Sequence, residues 1–279
     1  MTVNRWTSIG RPVDPAWPTN RAIVIVSLTG AVGTAAVTAA IARYPVPESL
    51  LAGVIVGAAA FLAWALAREL DPDHDLAAFV GAVLVMPTVL ILGAPGFASI
   101  LLLLLALRIV NRTVGPPARP LDTIAMLGLA GWVAWSGDWI ACFVLFLAFL
   151  LDGSVAVPHR AHLAAAGAAL ALTGVAASRS GFPPSVTGGS WITLFALLLL
   201  LPYLRVIGSS KQPRTLTDFG AKPLDGRRLR LAQALGLLAV LLPVALQGRA
   251  GLTAVSPAWA ALVGCGLYAV AAGTGRSSN

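Results

Sequence analysis

Charge is what this 279-residue chain has least of: Asp, Glu, Lys and Arg together make up 11% of it, against 58% hydrophobic residues and a mean hydropathy of +0.85. Soluble domains carry about 25% charged residues, so the composition excludes an ordinary soluble fold. It indicates an all-α, polytopic membrane helix bundle. Cysteine is scarce as well. Cys142 and Cys265 both lie in apolar runs, which excludes a disulfide framework or a structural zinc site and makes them small core residues. Walker loops, a serine nucleophile elbow, a His-Glu-x-x-His helix and a glycine-rich dinucleotide fingerprint are all missing from the sequence. The apolar runs hold no Lys, Glu or His at mid-depth, which argues against a proton relay, a voltage sensor or a path for a strongly charged solute.

What is present is a succession of apolar runs at roughly 22–42, 49–67, 77–92, 97–110, 121–136, 139–151, 163–178, 189–207, 229–246 and 256–273. A spanning helix takes about 20 apolar residues, so about ten spans leave no room for a separate soluble domain. Residues 1–21 are polar, with Arg5, Arg11, Arg21, Trp6, Trp17 and three prolines. That opening differs from a cleaved signal peptide, and the first run reads as a span. The runs flanking Gly93-Ala94-Pro95-Gly96 and Trp135-Ser136-Gly137-Asp138 are short and read either as full spans or as re-entrant hairpins.

The net charge of +8 is read by its placement and not as a nucleic-acid signal. With strict alternation and the amino terminus inside, all but three of the 19 basic residues, Arg43, Arg179 and Arg249, fall on the cytoplasmic side. Both termini are therefore expected in the cytoplasm and the membrane is expected to be the plasma membrane. The organisation expected is a cytoplasmic segment 1–21, an eight-span bundle over 22–207, a cytoplasmic linker over 208–228 and a two-span tail over 229–279. The linker is rich in Ser, Pro, Gly and Lys. It reads as a solvated loop whose basic end snorkels toward anionic headgroups, or as a docking site for a soluble or membrane protein partner.

Chemistry is expected at the cytoplasmic span ends, where the acids cluster. Glu69, Asp71, Asp73 and Asp75 stand between the second and third runs. Pro72 disfavours helix at Asp71, which leaves the acids in a turn from which Asp73 or Asp75 can cap the third helix. Four neighbouring carboxylates repel one another unless a cation, an arginine or a helix amino terminus compensates. The candidate metal ligands are Asp71, Asp73, Asp75, Asp152, His159 and His162, because all three histidines, His74 included, follow acidic span ends. Such an oxygen-rich set suits Mg²⁺ bridging to a phosphate. The competing expectation is that the acids are caps and ion-pair partners at headgroup level. Arg68, Arg108, Arg112 and Arg119 are the candidate phosphate-binding residues, with positive-inside anchoring as the alternative.

In topology, and in the D-x-x-x-D spacing of Asp71 and Asp75 with Asp152 in a later loop, the chain resembles membrane-embedded aromatic prenyltransferases. The pattern departs at Ala67-Arg68, where that family has Asn-Asp, and no second D-x-x-x-D follows Asp152. The resemblance implies a Mg²⁺-dependent enzyme acting on a lipid phosphate. The residues by themselves favour a protein that handles an apolar solute or lipid, or a subunit of a membrane assembly. A secondary transporter, with discontinuous helices near Pro87, Pro202 or Pro243, is the third reading. Membrane lipids are the expected partners. Trp132, Trp135, Trp139, Trp191 and Trp259 lie near outer span ends and read as an interfacial belt.

Overall fold

A computed structural model describes residues 7–11, 13–41, 44–155, 158–180, 190–218 and 222–274. The described residues form twelve helices: α1 (Pro18–Ala40), α2 (Val46–Leu70), α3 (Asp75–Leu92), α4 (Phe97–Asn111), α5 (Pro120–Trp135), α6 (Trp139–Ser154), α7 (Ala161–Ser180), α8 (Trp191–Leu198), α9 (Tyr203–Ser209), α10 (Gly226–Gln247), α11 (Arg249–Ala254) and α12 (Ser256–Thr274). Strand structure among them is limited to one isolated antiparallel bridge, Leu216 to Pro223. Each apolar run of the sequence falls on a helix, the eighth on α8 and α9 together. Seven helical segments are long and apolar enough to cross a membrane, while α4 and α6 are shorter apolar helices. The protein is a multi-pass helical membrane protein.

Local chemistry explains where the helices stop. Asp71 precedes Pro72 and takes an extended φ of −140° and ψ of 74°, which ends α2. Arg112 adopts the left-handed region, φ 52°, and closes α4. The amino termini of α6, α8 and α10 are capped by side chains of Asp138, Ser190 and Asp225, each accepting a backbone N–H. Pro202 falls in the turn that separates α8 from α9. Pro87 and Pro243 remain inside α3 and α10.

Hydrogen bonds gather the carboxyl ends of α2, α4 and α6 with the amino ends of α5, α7 and α10 at one end of the bundle. The turns at Gly93–Gly96, Gly137 and Gly248 lie at the other, where the Gly96 N–H donates to the Ala254 carbonyl at 3.0 Å and Gly137 lies against Ser180. The helices after the linker pack into the bundle, α12 against α2 and α3, and α10 against α4 and α6. In lipid such contacts rest on close approach and dispersion more than on any hydrophobic drive. Gly57 lets α2 approach the Ser27 carbonyl of α1, where an added Cβ would stand 2.9 Å away. Cys142 and Cys265 are buried and unpaired.

Two expectations need revision. Trp259 is a core residue, 7% exposed, with its indole N–H donating to the Ala196 carbonyl at 3.0 Å. By contrast Trp132, Trp135 and Trp191 are exposed as a belt requires. The described part of the linker is largely exposed and is also held to the bundle: Asp73 accepts from the Arg214 and Thr215 N–H groups, at 3.0 and 2.8 Å, and the Asp218 N–H donates to the Thr113 carbonyl at 3.1 Å. Its basic end turns inward at Arg228, 4% exposed, because a carboxylate waits there.

Candidate functional site

Two places in the bundle concentrate polar groups, one at each end. At the first end, the closing turns of α2, α4 and α6 bring two buried carboxylates under arginines. Asp152 sits on the last turn of α6 and is 1% exposed. Its Oδ1 accepts from Arg112 Nε at 2.9 Å and Arg228 Nη1 at 2.6 Å. Its Oδ2 lies 2.8 Å from Nδ1 of His162, and His162 Nε2 lies 3.1 Å from the Thr123 hydroxyl. His162 thus links Asp152 to Thr123, whose hydroxyl also reaches the Arg119 carbonyl at 3.4 Å. Arg228 also donates to the Val110 and Val155 carbonyls, at 3.1 and 2.6 Å.

The second carboxylate, Glu69, is fully buried on the last turn of α2. It accepts from Arg108 Nε at 2.9 Å, the Thr113 hydroxyl at 2.6 Å and the Asn111 amide at 3.2 Å. Arg11 stands 3.7 Å from Glu69 and donates to Asp218 at 2.7 Å. The amino-terminal segment is thereby strapped across this end. Ser8 is fixed by Asp122 through its N–H and its hydroxyl, both at 2.9 Å, and the Ile9 carbonyl accepts from Arg108 at 3.2 Å.

The remaining acids of the 69–75 turn are separately occupied. Asp71 faces His74 Nδ1 at 2.9 Å, Asp73 holds the linker, and Asp75 pairs with Arg68. None of them caps α3, whose N-cap is His74 without a side-chain bond. Burial raises the Asp71 carboxyl above its ordinary value, more than the charge of Asp73 does. Burial acts the same way on Asp73, but the hydroxyl of Thr215 and the N–H groups of Arg214 and Thr215 outweigh it and hold that carboxyl low. Burial raises Asp218 against the pull of Arg11, and burial with the neighbouring His162 lowers His159. Among the described residues no three of His, Cys, Asp and Glu are grouped so as to hold a metal ion. Three of the four proposed phosphate-binding arginines, Arg68, Arg108 and Arg112, point at carboxylates of this chain. Arg119 is the N-cap of α5, its N–H donating to Asp122 at 2.9 Å.

The second place is a cavity of about 250 Å³ at the opposite end, between α4, α6, α10 and α11. Leu102, Leu103, Ala106, Val144 and Ala239 form its buried inner wall, and Ser99, Ser136, Asp138 and Gln247 stand at its more exposed mouth. Pro243, also in the wall, has no N–H to offer the Ala239 carbonyl one turn back. Gly251 lets α11 close over this region, since a Cβ there would collide with the Pro243 carbonyl.

The chain matches no family model, no curated protein and no solved structure. The reading of either end rests on its own geometry.

The sequence located Asp152, His162, Arg108 and Arg112 as candidates. It counted Glu69 among the clustered acids without making it a ligand, and it did not single out Arg228, Thr123 or the cavity. Glu69 carried a usable signal, since it precedes the break at Pro72 and so remains on the helix, where it can point inward. The cavity carried none, because its walls come from four helices spread between Ser99 and Val255.

Proposed function

We propose that this protein is a ten-span plasma-membrane protein with both termini in the cytoplasm, and that it takes up a small, mostly apolar molecule in the cavity between α4, α6, α10 and α11. The cavity is the observation that carries the reading. It has an apolar buried wall and a few polar groups gathered at its mouth, the general make-up of a small-molecule site. An engineered cavity of about 150 Å³ admits benzene, so this one has room for a substituted ring or a short branched chain, and not for a whole two-chain lipid.

The arginine and carboxylate layer at the other end supports a division of labour. Its acids are already compensated by side chains and backbone N–H groups, which suits a clamp that holds helix ends together. The spacing of basic residues in the sequence supports assigning that end to the cytoplasm. The cavity then faces the outer side of the membrane.

The test is to purify the native chain and an Ala141→Phe variant, which narrows the cavity near its mouth, and to compare small molecules extracted from each by mass spectrometry. A compound retained in stoichiometric amount by the native chain and absent from the variant is the expected result. Identical extracts, together with no binding of small aromatic probes, would end the proposal.

A further inference from the structure

The mouth of the cavity holds a carboxylate, Asp138, for which the described residues supply no counter-charge. Asp138 accepts the Ala141 N–H on Oδ1 at 3.1 Å, as the N-cap of α6, and the Ser99 hydroxyl on Oδ2 at 2.6 Å. Among the described residues no Lys, Arg or His comes within ion-pair distance of it. The arginines described at this end are engaged elsewhere. Arg179 donates to the Trp135 carbonyl at 2.8 Å with its guanidinium over the Trp135 ring, and Arg249 donates to the Ile91 carbonyl at 3.2 Å. The contrast with the other end is plain, because Glu69, Asp75 and Asp152 each face an arginine there.

The amino terminus of α6 offers the equivalent of about half a positive charge to its capping carboxylate, so a deficit of cation remains. The other polar groups do not fill it. The Ser99 hydroxyl spends its proton on Asp138, the Ser136 hydroxyl spends its own on the Val133 carbonyl at 2.7 Å, and Pro243 withholds a donor from Ala239. Gln247 brings two N–H donors beside its oxygen, but none of these groups carries a positive charge, and the space is otherwise lined by Leu, Ile, Val and Ala side chains. An anion would meet Asp138 directly, and a purely apolar guest would leave a partly desolvated carboxylate facing it.

We infer that the cavity binds a small organic monocation, an apolar body of about one ring with a protonated amine seated on Asp138. This rests on the small-molecule reading of the cavity given above and adds the charge of the occupant. The body packs against Leu102, Leu103, Val144 and Ala239, and the ammonium donates to Asp138 and to the side-chain oxygen of Gln247. An ammonium has three donors and the positive charge that the mouth lacks, so it can meet the Asp138 carboxylate and the Gln247 oxygen together.

The experiment uses two probes of the same shape, 4-fluorobenzylamine and 4-fluorobenzyl alcohol, added to the purified full chain in nanodiscs and followed by fluorine NMR. The Ala141→Phe variant supplies the background of partition into lipid. In the native chain the amine is expected to bind about fivefold more tightly than the alcohol, the difference a partly exposed ion pair can supply. In Asp138→Asn the two are expected to bind alike, and asparagine is itself a good N-cap, so α6 keeps its start. Equal binding of amine and alcohol by the native chain overturns the assignment of charge while leaving the cavity as a neutral site. No binding of either probe above the Ala141→Phe background overturns the cavity reading along with it. Because the native ratio decides by itself, the inference stays testable even if Asp138→Asn fails to fold.

Discussion

Arg228 Nη1 lies 2.6 Å from Asp152 Oδ1, across 76 positions of sequence and with both side chains almost wholly buried. The contact ties the first turn of α10 to the last turn of α6, and through Arg112 to the end of α4. Removing one partner of a buried, hydrogen-bonded ion pair costs about 3–5 kcal/mol, mostly because the other charge is stranded. Arg228→Gln is therefore expected to lower the unfolding temperature of the purified protein sharply. Arg227→Gln, one position away and exposed, is expected to shift stability by no more than about 0.5 kcal/mol. Similar losses from the two variants would mean that Arg228 is not held as described.

Glu69 offers a finer test. The Thr113 hydroxyl donates to its Oε2 at 2.6 Å in a fully buried setting. Valine matches threonine closely in shape, so Thr113→Val deletes that bond and little else. A hydrogen bond to a charged acceptor is worth about 1.5–3 kcal/mol, and a loss of that size is expected in thermal or denaturant unfolding. An unchanged stability would show that Asn111 and Arg108 alone satisfy the carboxylate.

How much of this was legible beforehand follows from the range of each interaction. Helix positions were legible because hydropathy acts over a single run and breaks at residues such as Pro72 and Gly93, whereas the eighth run, unbroken in hydropathy, divides at Pro202 into α8 and α9. The meeting of Asp152 with His162 was within reach, since the two are ten positions apart around one turn. Arg228 was read as a snorkelling residue because nothing local distinguishes an arginine that faces lipid from one that faces a carboxylate on another helix. The acids of the 69–75 turn were read as one cluster. Helix geometry splits them: Glu69 still lies on α2 and turns into the bundle, while Asp73, beyond Pro72, reaches out to the linker. Trp259 was assigned to the membrane interface for want of any sign that Ala196 would offer its indole a carbonyl.

Close approach of α1 to α2 supplies a third expectation. Only Ile23 and Thr34 of α1 are buried, so this helix is held by few side chains. At Gly53 an added Cβ would run into the Ala31 carbonyl, which is backbone and cannot step aside. Gly53→Ala is expected to cost about 1–3 kcal/mol, as overpacking does, and to make α1 more open to protease. Gly33 on α1 has nothing within 4 Å of a built Cβ, so Gly33→Ala is expected to leave that digestion unchanged or slow it. Equal digestion of the two variants would argue against the tight α1 contact.

Acid stability separates Asp71 from Asp73, two residues apart. The Asp73 carboxyl is held below the ordinary aspartate value of 3.8 by hydrogen bonds from the linker. The folded state therefore binds fewer protons than the unfolded chain as the pH falls. Its contribution is fully present above the ordinary value and is lost as the pH falls through the lower, folded one. The Asp71 carboxyl is raised above that value, chiefly by burial. Here the folded state binds the extra proton, so stability increases as the pH falls through the raised value toward the ordinary one. Substituting each by asparagine should move the acid limb of the stability curve in opposite directions. Between about pH 5 and pH 3, Asp73→Asn is expected to lose stability less steeply than the native protein, and Asp71→Asn more steeply. Asp73 is largely exposed, so its share is expected to be small, about 1 kcal/mol or less. The sign of the two slope changes, read from unfolding temperatures over that range, is the decisive quantity. Changes of the same sign would mean that the two carboxylates titrate together as one repelling cluster and not as separately partnered groups.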